Sequence, residues 1–179
     1  LVNCSYADTR TVTDGLGREV SIEGNPQRIV TTIASTTEIV LDLGVDDRLV
    51  GVPNLIKYLS YVPELQAKAK KKEKVGGFKL SMEKIASLNP DLVIIDASAQ
   101  KDVISKIEGM GAKVYASGSQ TLAEVRESIL EIGYLTGALD RAQEIVGLMA
   151  YKKVQLQEAV RQLEERERVF YTISKRMYT

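Results

Sequence analysis

An α/β domain built on a parallel sheet is the expectation from the sequence, and three observations carry it. Runs such as Leu92-Val93-Ile94-Ile95 are apolar at consecutive positions, which suits strands covered by helices on both faces. These runs alternate with helical segments, the order of repeated strand–helix units. Gly44, Asn89-Pro90 and Gly111 punctuate the boundaries where a helix must stop before the next strand. No fixed period holds along the chain, so the repetition is modular rather than that of a solenoid.

The elements follow in order. Residues 12–22 hold Asp14-Gly15-Leu16-Gly17 between two alternating runs, the pattern of a β-hairpin. Asn25-Pro26 precedes a strand at about 28–32, and a helix over 36–43 ends at Gly44. A strand at 48–52 leads into an irregular stretch from Pro53 to Lys79, with a short helix near 63–68. The helix over 81–88 ends at Asn89-Pro90, because proline cannot continue it and asparagine tolerates the left-handed cap. Strand 92–96, helix 100–109, strand 113–116 and helix 121–136 complete the alternation. From Asp140 to about Arg168 proline is absent, and an apolar stripe runs through Ala142, Ile145, Val146, Met149, Leu156, Val160 and Leu163. A helix of that length spans roughly 40 Å, too long for a connector inside one lobe. Residues 169–174 read as a further strand.

Composition narrows the function classes. The chain has 179 residues, a length typical of one domain, with 44% hydrophobic and 27% charged residues. Lys+Arg and Asp+Glu both number 24, so no overall field attracts nucleic acid. Histidine is absent and Cys4 is the one cysteine, which disfavours a built-in zinc site and removes the commonest general base. No disulfide can form within the chain. No apolar run approaches the roughly 18 residues of a membrane span. The glycine pairs do not fit nucleotide motifs: Gly15-Leu16-Gly17 lies in the hairpin, and Gly109-Met110-Gly111 precedes a strand rather than following one.

Two blocks carry a family resemblance. Arg28-Ile29-Val30-Thr31-Thr32-Ile33-Ala34-Ser35-Thr36-Thr37-Glu38-Ile39-Val40-Leu41-Asp42-Leu43-Gly44 reads as buried strand, polar loop and glycine-stopped helix. Val75-Gly76-Gly77, then Ser81-Met82-Glu83-Lys84-Ile85-Ala86-Ser87-Leu88-Asn89-Pro90-Asp91-Leu92-Val93-Ile94-Ile95-Asp96, gives helix, proline stop and strand. Together they resemble the N-terminal lobe of the extracytoplasmic solute-binding proteins that hand ferric siderophores, haem or cobalamin to ABC importers. The resemblance implies a Rossmann-like parallel-sheet lobe with helices on both faces, followed by a long inter-lobe backbone helix. It divides the chain into an export or anchor remnant over 1–11, the solute-binding lobe over 12–139, the linking helix over 140–168, and the first strand of a second lobe over 169–179. It implies no enzyme and no built-in cofactor. The partners would be permease subunits and a small iron chelate or tetrapyrrole, with no nucleic acid. The protein would lie outside the cytoplasm, reaching the membrane by a lipid anchor or through the permease.

Site residues follow from the same frame. Leu1-Val2-Asn3-Cys4 is similar to a lipobox, making Cys4 a candidate lipid anchor; Ser5-Tyr6-Ala7 alternatively ends a cleaved signal peptide, and an incidental cysteine is the third reading. Glu38 matches the family's surface glutamate that pairs with permease arginines. The same residues, Ser35-Thr36-Thr37-Glu38, also form a capping-box pattern, as do Thr121-Leu122-Ala123-Glu124. Ligand contacts are expected from loops at the carboxyl ends of the strands. These supply Ser35 and Thr36, Asn54 with Tyr58 and Tyr61, Phe78 and Lys79, and Ser98 with Gln100; the loop 117–120 shares that edge. The aromatic side chains could stack on a flat ligand or simply cover local core. The lysines at 68, 70, 71, 72 and 74 could sit near an anionic solute or form a solvated helix end. Two other readings remain open: a single-lobe adaptor dimerising through the long helix, and a nucleotide- or flavin-binding enzyme domain lacking a visible phosphate cradle.

Overall fold

A computed structural model describes residues 8–54, 56, 62–77, 79–118 and 120–163. Cys4, Tyr58, Tyr61, Phe78 and the strand expected at 169–174 lie outside them. The chain divides into two units, Leu1–Val146 and Gly147–Thr179.

In the first unit, β1 (Thr9–Thr13) and β2 (Glu19–Glu23) form the expected antiparallel hairpin. Five parallel strands follow: β3 (Ile29–Thr31), β4 (Leu49–Val52), β5 (Glu73–Lys74), β6 (Leu92–Asp96) and β7 (Lys113–Ser117). Their spatial order is β5-β4-β3-β6-β7. The chain therefore builds outward from β3 in one direction, then crosses back to place β6 on the other side. The carboxyl ends of β3 and β6 flank that crossover.

Strand alternation assigns the helices to faces. Val93, Ile95, Val114 and Ala116 join one apolar cluster with Ile85 of α3 (Met82–Ser87) and Ile104 and Ile107 of α4 (Ile104–Glu108). On the opposite face, Thr31 Oγ1 meets Thr37 Oγ1 of α1 (Ala34–Asp42) at 2.8 Å, and Ser117 Oγ bonds Ser128 Oγ of α5 (Leu122–Thr136) at 3.1 Å. Leu92, Val93, Ile94 and Ile95 are all fully buried, as expected of a strand covered on both sides. α2 spans Pro63–Lys70, with proline at its start where the missing amide costs nothing.

The stop signals act as the sequence suggests. Asn89 has φ 44°, and Gly44, Gly111 and Gly137 also take positive φ. Thr121 caps α5 by accepting from the Glu124 amide at 3.2 Å, while Glu124 Oε2 accepts from the Gln120 amide at 2.8 Å. Ser81 caps α3 in the same way.

Three expectations are corrected. The Ser35 capping box does not form: α1 starts at Ala34 with Ile33 as its N-cap and no side-chain cap bond. Instead the Thr36 and Thr37 hydroxyls donate back to the Ile33 carbonyl, at 3.3 and 2.8 Å. The helix expected over 100–109 opens with a 3₁₀ turn over Lys101–Val103, because the Val103 amide bonds Gln100 O. The stretch 53–79 contains β5, an edge strand made by pairing with β4 rather than by any apolar pattern of its own. The long helix α6 is described over Leu139–Arg161, where Gln162 and Leu163 bond back three residues; residues 164–168 of the expected span lie outside the described residues.

The root of α6 is fixed within the first unit. Any Cβ on Gly133 would overlap Ala142, so α5 and α6 approach at a position only glycine fits. Arg10 and Arg48 donate to Leu135 O and Thr136 O, at 3.3 and 2.9 Å, satisfying carbonyls at the end of α5. In the second unit, α6 exposes Leu148, Tyr151, Val154, Leu156 and Val160, and Leu163 just beyond it is exposed as well.

Candidate functional site

Ligands of open α/β sheets gather where neighbouring strands run off in opposite directions, at the carboxyl edge. Here that point lies between β3 and β6, and it holds an open cavity of ≈ 480 Å³. Thr32, Ile33, Ala34 and Ser35 line it from the β3–α1 junction. Asp96, Ser98, Ala99 and Gln100 line it from the loop after β6, with Pro53 and Gly77 on the third side.

A hydrogen-bonded clamp joins the two main loops. The Thr32 hydroxyl donates to Gln100 Oε1 and to Ile94 O, and the Asp96 amide donates to the same Gln100 oxygen at 3.1 Å. Gln100 is buried, so its carbonyl is fully used in holding β3 and β6 loops together. Asp96 organises the rest of its loop. Its Oδ1 accepts from the Ser98 amide, the Ser98 hydroxyl and the Ala99 amide, at 2.9, 2.6 and 2.7 Å. This is an Asx turn, which a strand-ending aspartate readily forms. Among the described residues Asp96 Oδ2 has no hydrogen-bond partner.

Asp96 and Ser98 also line a second cavity of ≈ 270 Å³, shared with Gly15, Ser117, Gly118, Gln120 and Glu124. The hairpin tip reaches this edge because Asp14 anchors it. Asp14 is buried, accepts from Arg18 at 2.7 Å and from the Leu16 and Arg18 amides at 3.0 Å, while the Gly15 amide bonds Ala116 O at 2.8 Å. Arg18 spans onward to Glu108 at 3.0 Å. A side chain at Gly15 would run into the Gly118 backbone, 2.5 Å from its nitrogen.

The structure brings Ser35, Ser98 and Gln100 to one cavity. It does not bring Thr36 there: that residue is buried, its hydroxyl turned to Ile33 O. Asn54 is exposed beside the cavity, its amide bonded to Gly76 O at 2.6 Å, and Lys79 is exposed outside the lining. Gly76 sits at φ 118°, with the Lys79 carbonyl 2.5 Å from where a Cβ would be, so the turn beside the cavity requires glycine. Asp96 opens the loop 96–100 expected to contribute ligand contacts, and the folded loop shows it organising the turn as well as lining the cavity.

Glu38 lies on α1, half-buried. Partial burial, and then the nearby Asp42 carboxylate one turn on, hold its carboxyl above the ordinary glutamate range. Burial raises Asp42 as well, opposed by Arg141 and Lys68. With no capping role, Glu38 has no hydrogen-bond partner among the described residues. In the basic run, Lys68 pairs with Asp46 at 3.0 Å, Lys72 donates to Asp46 O at 2.6 Å, and Lys74 donates to Ala69 O at 2.9 Å. The first two contacts tie the end of α2 to the turn before β4, and the third folds Lys74 back onto α2. No group of three or more acidic, Cys or His residues among the described ones is arranged to hold a metal ion.

Comparison with known proteins accords with this geometry. The chain is 34% identical over 170 residues to the uncharacterised ABC transporter substrate-binding lipoprotein YvrC of Bacillus subtilis, covering 92% of the chain and 52% of that protein. It is 33% identical over 116 residues to a vitamin B12-binding protein of Vibrio vulnificus, covering 63% of the chain and 40% of the relative. The chain thus spans about half the length, or less, of these relatives. In fold it is similar to the crystal structure of the petrobactin-binding protein YclQ of Bacillus subtilis, with TM-score 0.74 and 22% identity over 88% of the chain and 55% of that structure. A family model described as periplasmic binding protein matches residues 29–178. The chain, with its five-stranded parallel sheet, crossover cavity and long trailing helix, belongs to the periplasmic binding protein family.

Proposed function

We propose that this chain supplies one wall of the solute cleft in an extracytoplasmic receptor of an ABC importer. The observation that carries the reading is the cavity at the β3/β6 crossover, built from strand-end loops and braced by the Thr32–Gln100–Asp96 clamp. The complete protein captures an iron chelate, ferric siderophore or haem, or cobalamin between two lobes, and delivers it to the permease subunits. In this reading residues 12–139 are the first lobe, 140–168 the linking helix, and 169–179 the opening of the second lobe. Cys4 carries the lipid anchor. No helix among the described residues is long and apolar enough to cross a membrane.

Glu38 is the docking carboxylate of this lobe. Its lack of a capping bond leaves it available to a permease guanidinium, and a rim charge of that kind orients docking more than it adds affinity. Glu38→Gln in the complete protein retains solute affinity while uptake through the permease falls. Unchanged uptake contradicts the docking role, and a complete protein that binds no iron chelate or corrinoid contradicts capture itself. The exposed apolar residues of α6 favour a second reading, a single-lobe adaptor that dimerises through this helix. Concentration-dependent dimerisation of the complete protein without solute binding distinguishes it.

A further inference from the structure

The charge on the cleft wall narrows the solute class, an inference that rests on the capture function proposed above. The two cavities at the carboxyl edge of the sheet contain two carboxylates, Asp96 and Glu124. Among the described residues no lysine or arginine lines either one. The nearby Lys79 and Lys101 are exposed and stand outside both linings.

Among the described residues, the positive feature at this edge is the first turn of α1, whose Ala34 and Ser35 border the larger cavity. Its leading amides have no acceptor within the helix and together present roughly half a unit of positive charge. Asp96 opposes this with a full negative charge. Glu124 adds another in the adjoining cavity, although one of its oxygens is held by the Gln120 amide. The described wall therefore disfavours a polyanion, while it offers hydrogen-bonding groups of both kinds: backbone donors on α1, the Ser35 and Ser98 hydroxyls, and Asp96 Oδ2, which has no partner among the described residues.

A carboxamide fits that arrangement. Its carbonyl oxygen can accept from the α1 turn, and its N–H can donate to Asp96 Oδ2. We infer that this lobe selects solutes of zero or positive net charge that carry amide groups on their rim, with Asp96 as the specificity-determining residue, and discriminates against polyanionic chelates. Asp96 is well suited to the role because its two oxygens have separate duties. Oδ1 is committed to the Asx turn, so Oδ2 is held in place without being consumed.

The test is a titration of the complete protein at one ionic strength with four probes. Cyanocobalamin is neutral with an amide rim, and ferrioxamine B is a cationic complex with backbone amides. Ferric enterobactin is a trianion, and haemin carries two propionates. The parent protein binds at least one of the first two more tightly than either of the last two, by about ten-fold or more for a full opposing charge in the cleft. Asp96→Asn preserves the turn, since asparagine Oδ1 accepts the same three bonds. It reduces affinity for the amide-bearing probe and narrows the discrimination against the anions; Asp96→Lys narrows it further. Circular dichroism and melting temperature of Asp96→Asn match those of the parent. Preference of the parent for ferric enterobactin or haemin overturns the charge inference and leaves solute capture standing. An unchanged probe order in a folded Asp96→Asn also overturns it. Failure to bind any of the probes overturns both this inference and the capture function on which it rests.

Discussion

Replacing Gln100 by methionine tests the brace between the two loops that form the cavity. Methionine has nearly the same length and volume, so packing is conserved and the loss is confined to hydrogen bonding. Gln100 Oε1 accepts from the Thr32 hydroxyl and from the Asp96 amide, and the residue is buried. The Thr32 hydroxyl keeps a second acceptor in Ile94 O at 3.2 Å, so it loses one bond without being stranded. The Asp96 amide has no such substitute among the described residues. One net hydrogen bond at about 0.5–1.5 kcal/mol, and one amide left unpaired at about 1–3 kcal/mol, place the total near 2–3 kcal/mol. For a chain of this length that corresponds to a fall in melting temperature of roughly 4–12 °C. Equilibrium urea denaturation of the complete protein, read at the far-ultraviolet dichroism, measures it. A Gln100→Met protein within about 0.5 kcal/mol of the parent refutes the reasoning, since both bonds would then be worth nothing net.

Two further variants probe the opposite face of the sheet. Glu38 titrates above the ordinary glutamate range because of partial burial and the repulsion of Asp42. Its protonated form therefore favours the fold below the unfolded pKa, and that contribution is lost as pH rises through the raised folded value. Glu38→Gln accordingly melts at the same temperature as the parent or higher at pH 7, and the difference closes below about pH 4; a lower melting temperature at pH 7 would restore a structural role for the carboxylate. Tyr115 is fully buried with its hydroxyl on Glu131, a carboxyl raised chiefly by its own burial. Tyr115→Phe removes a bond to a charged acceptor, costing about 1.5–3 kcal/mol, and drives the Glu131 pKa further up, which a carboxyl-carbon NMR titration detects. No movement of that resonance argues against the contact.

Local chemistry made much of the fold legible. The unbroken apolar run of β6 already required cover on both faces, and Gly44, Asn89-Pro90 and Thr121 mark helix ends through backbone preferences that need no tertiary partner. The errors arose where long-range contacts decide. The residues Ser35 to Glu38 satisfy a capping pattern in sequence, yet Thr37 is drawn to Thr31 of β3 and to Ile33 O, and the helix begins two residues earlier. β5 has no pattern of its own and exists because the β4 edge is available. At the site, the strand-end rule located the loops, but it could not separate the roles within them. Gln100 faces the cavity and also braces it, Thr36 turns away, and Asp96, the first residue of an expected ligand loop, also holds that loop in its Asx turn.

The central claim is that solute meets this lobe at the β3/β6 crossover. Hydrogen exchange of the complete protein, free and saturated in turn with cyanocobalamin, ferrioxamine B and haemin, measures this most directly. For a probe that binds, amides over 33–36 and 96–100 gain protection together, since both loops line one cavity. A bound complex in which neither segment changes its exchange contradicts the account.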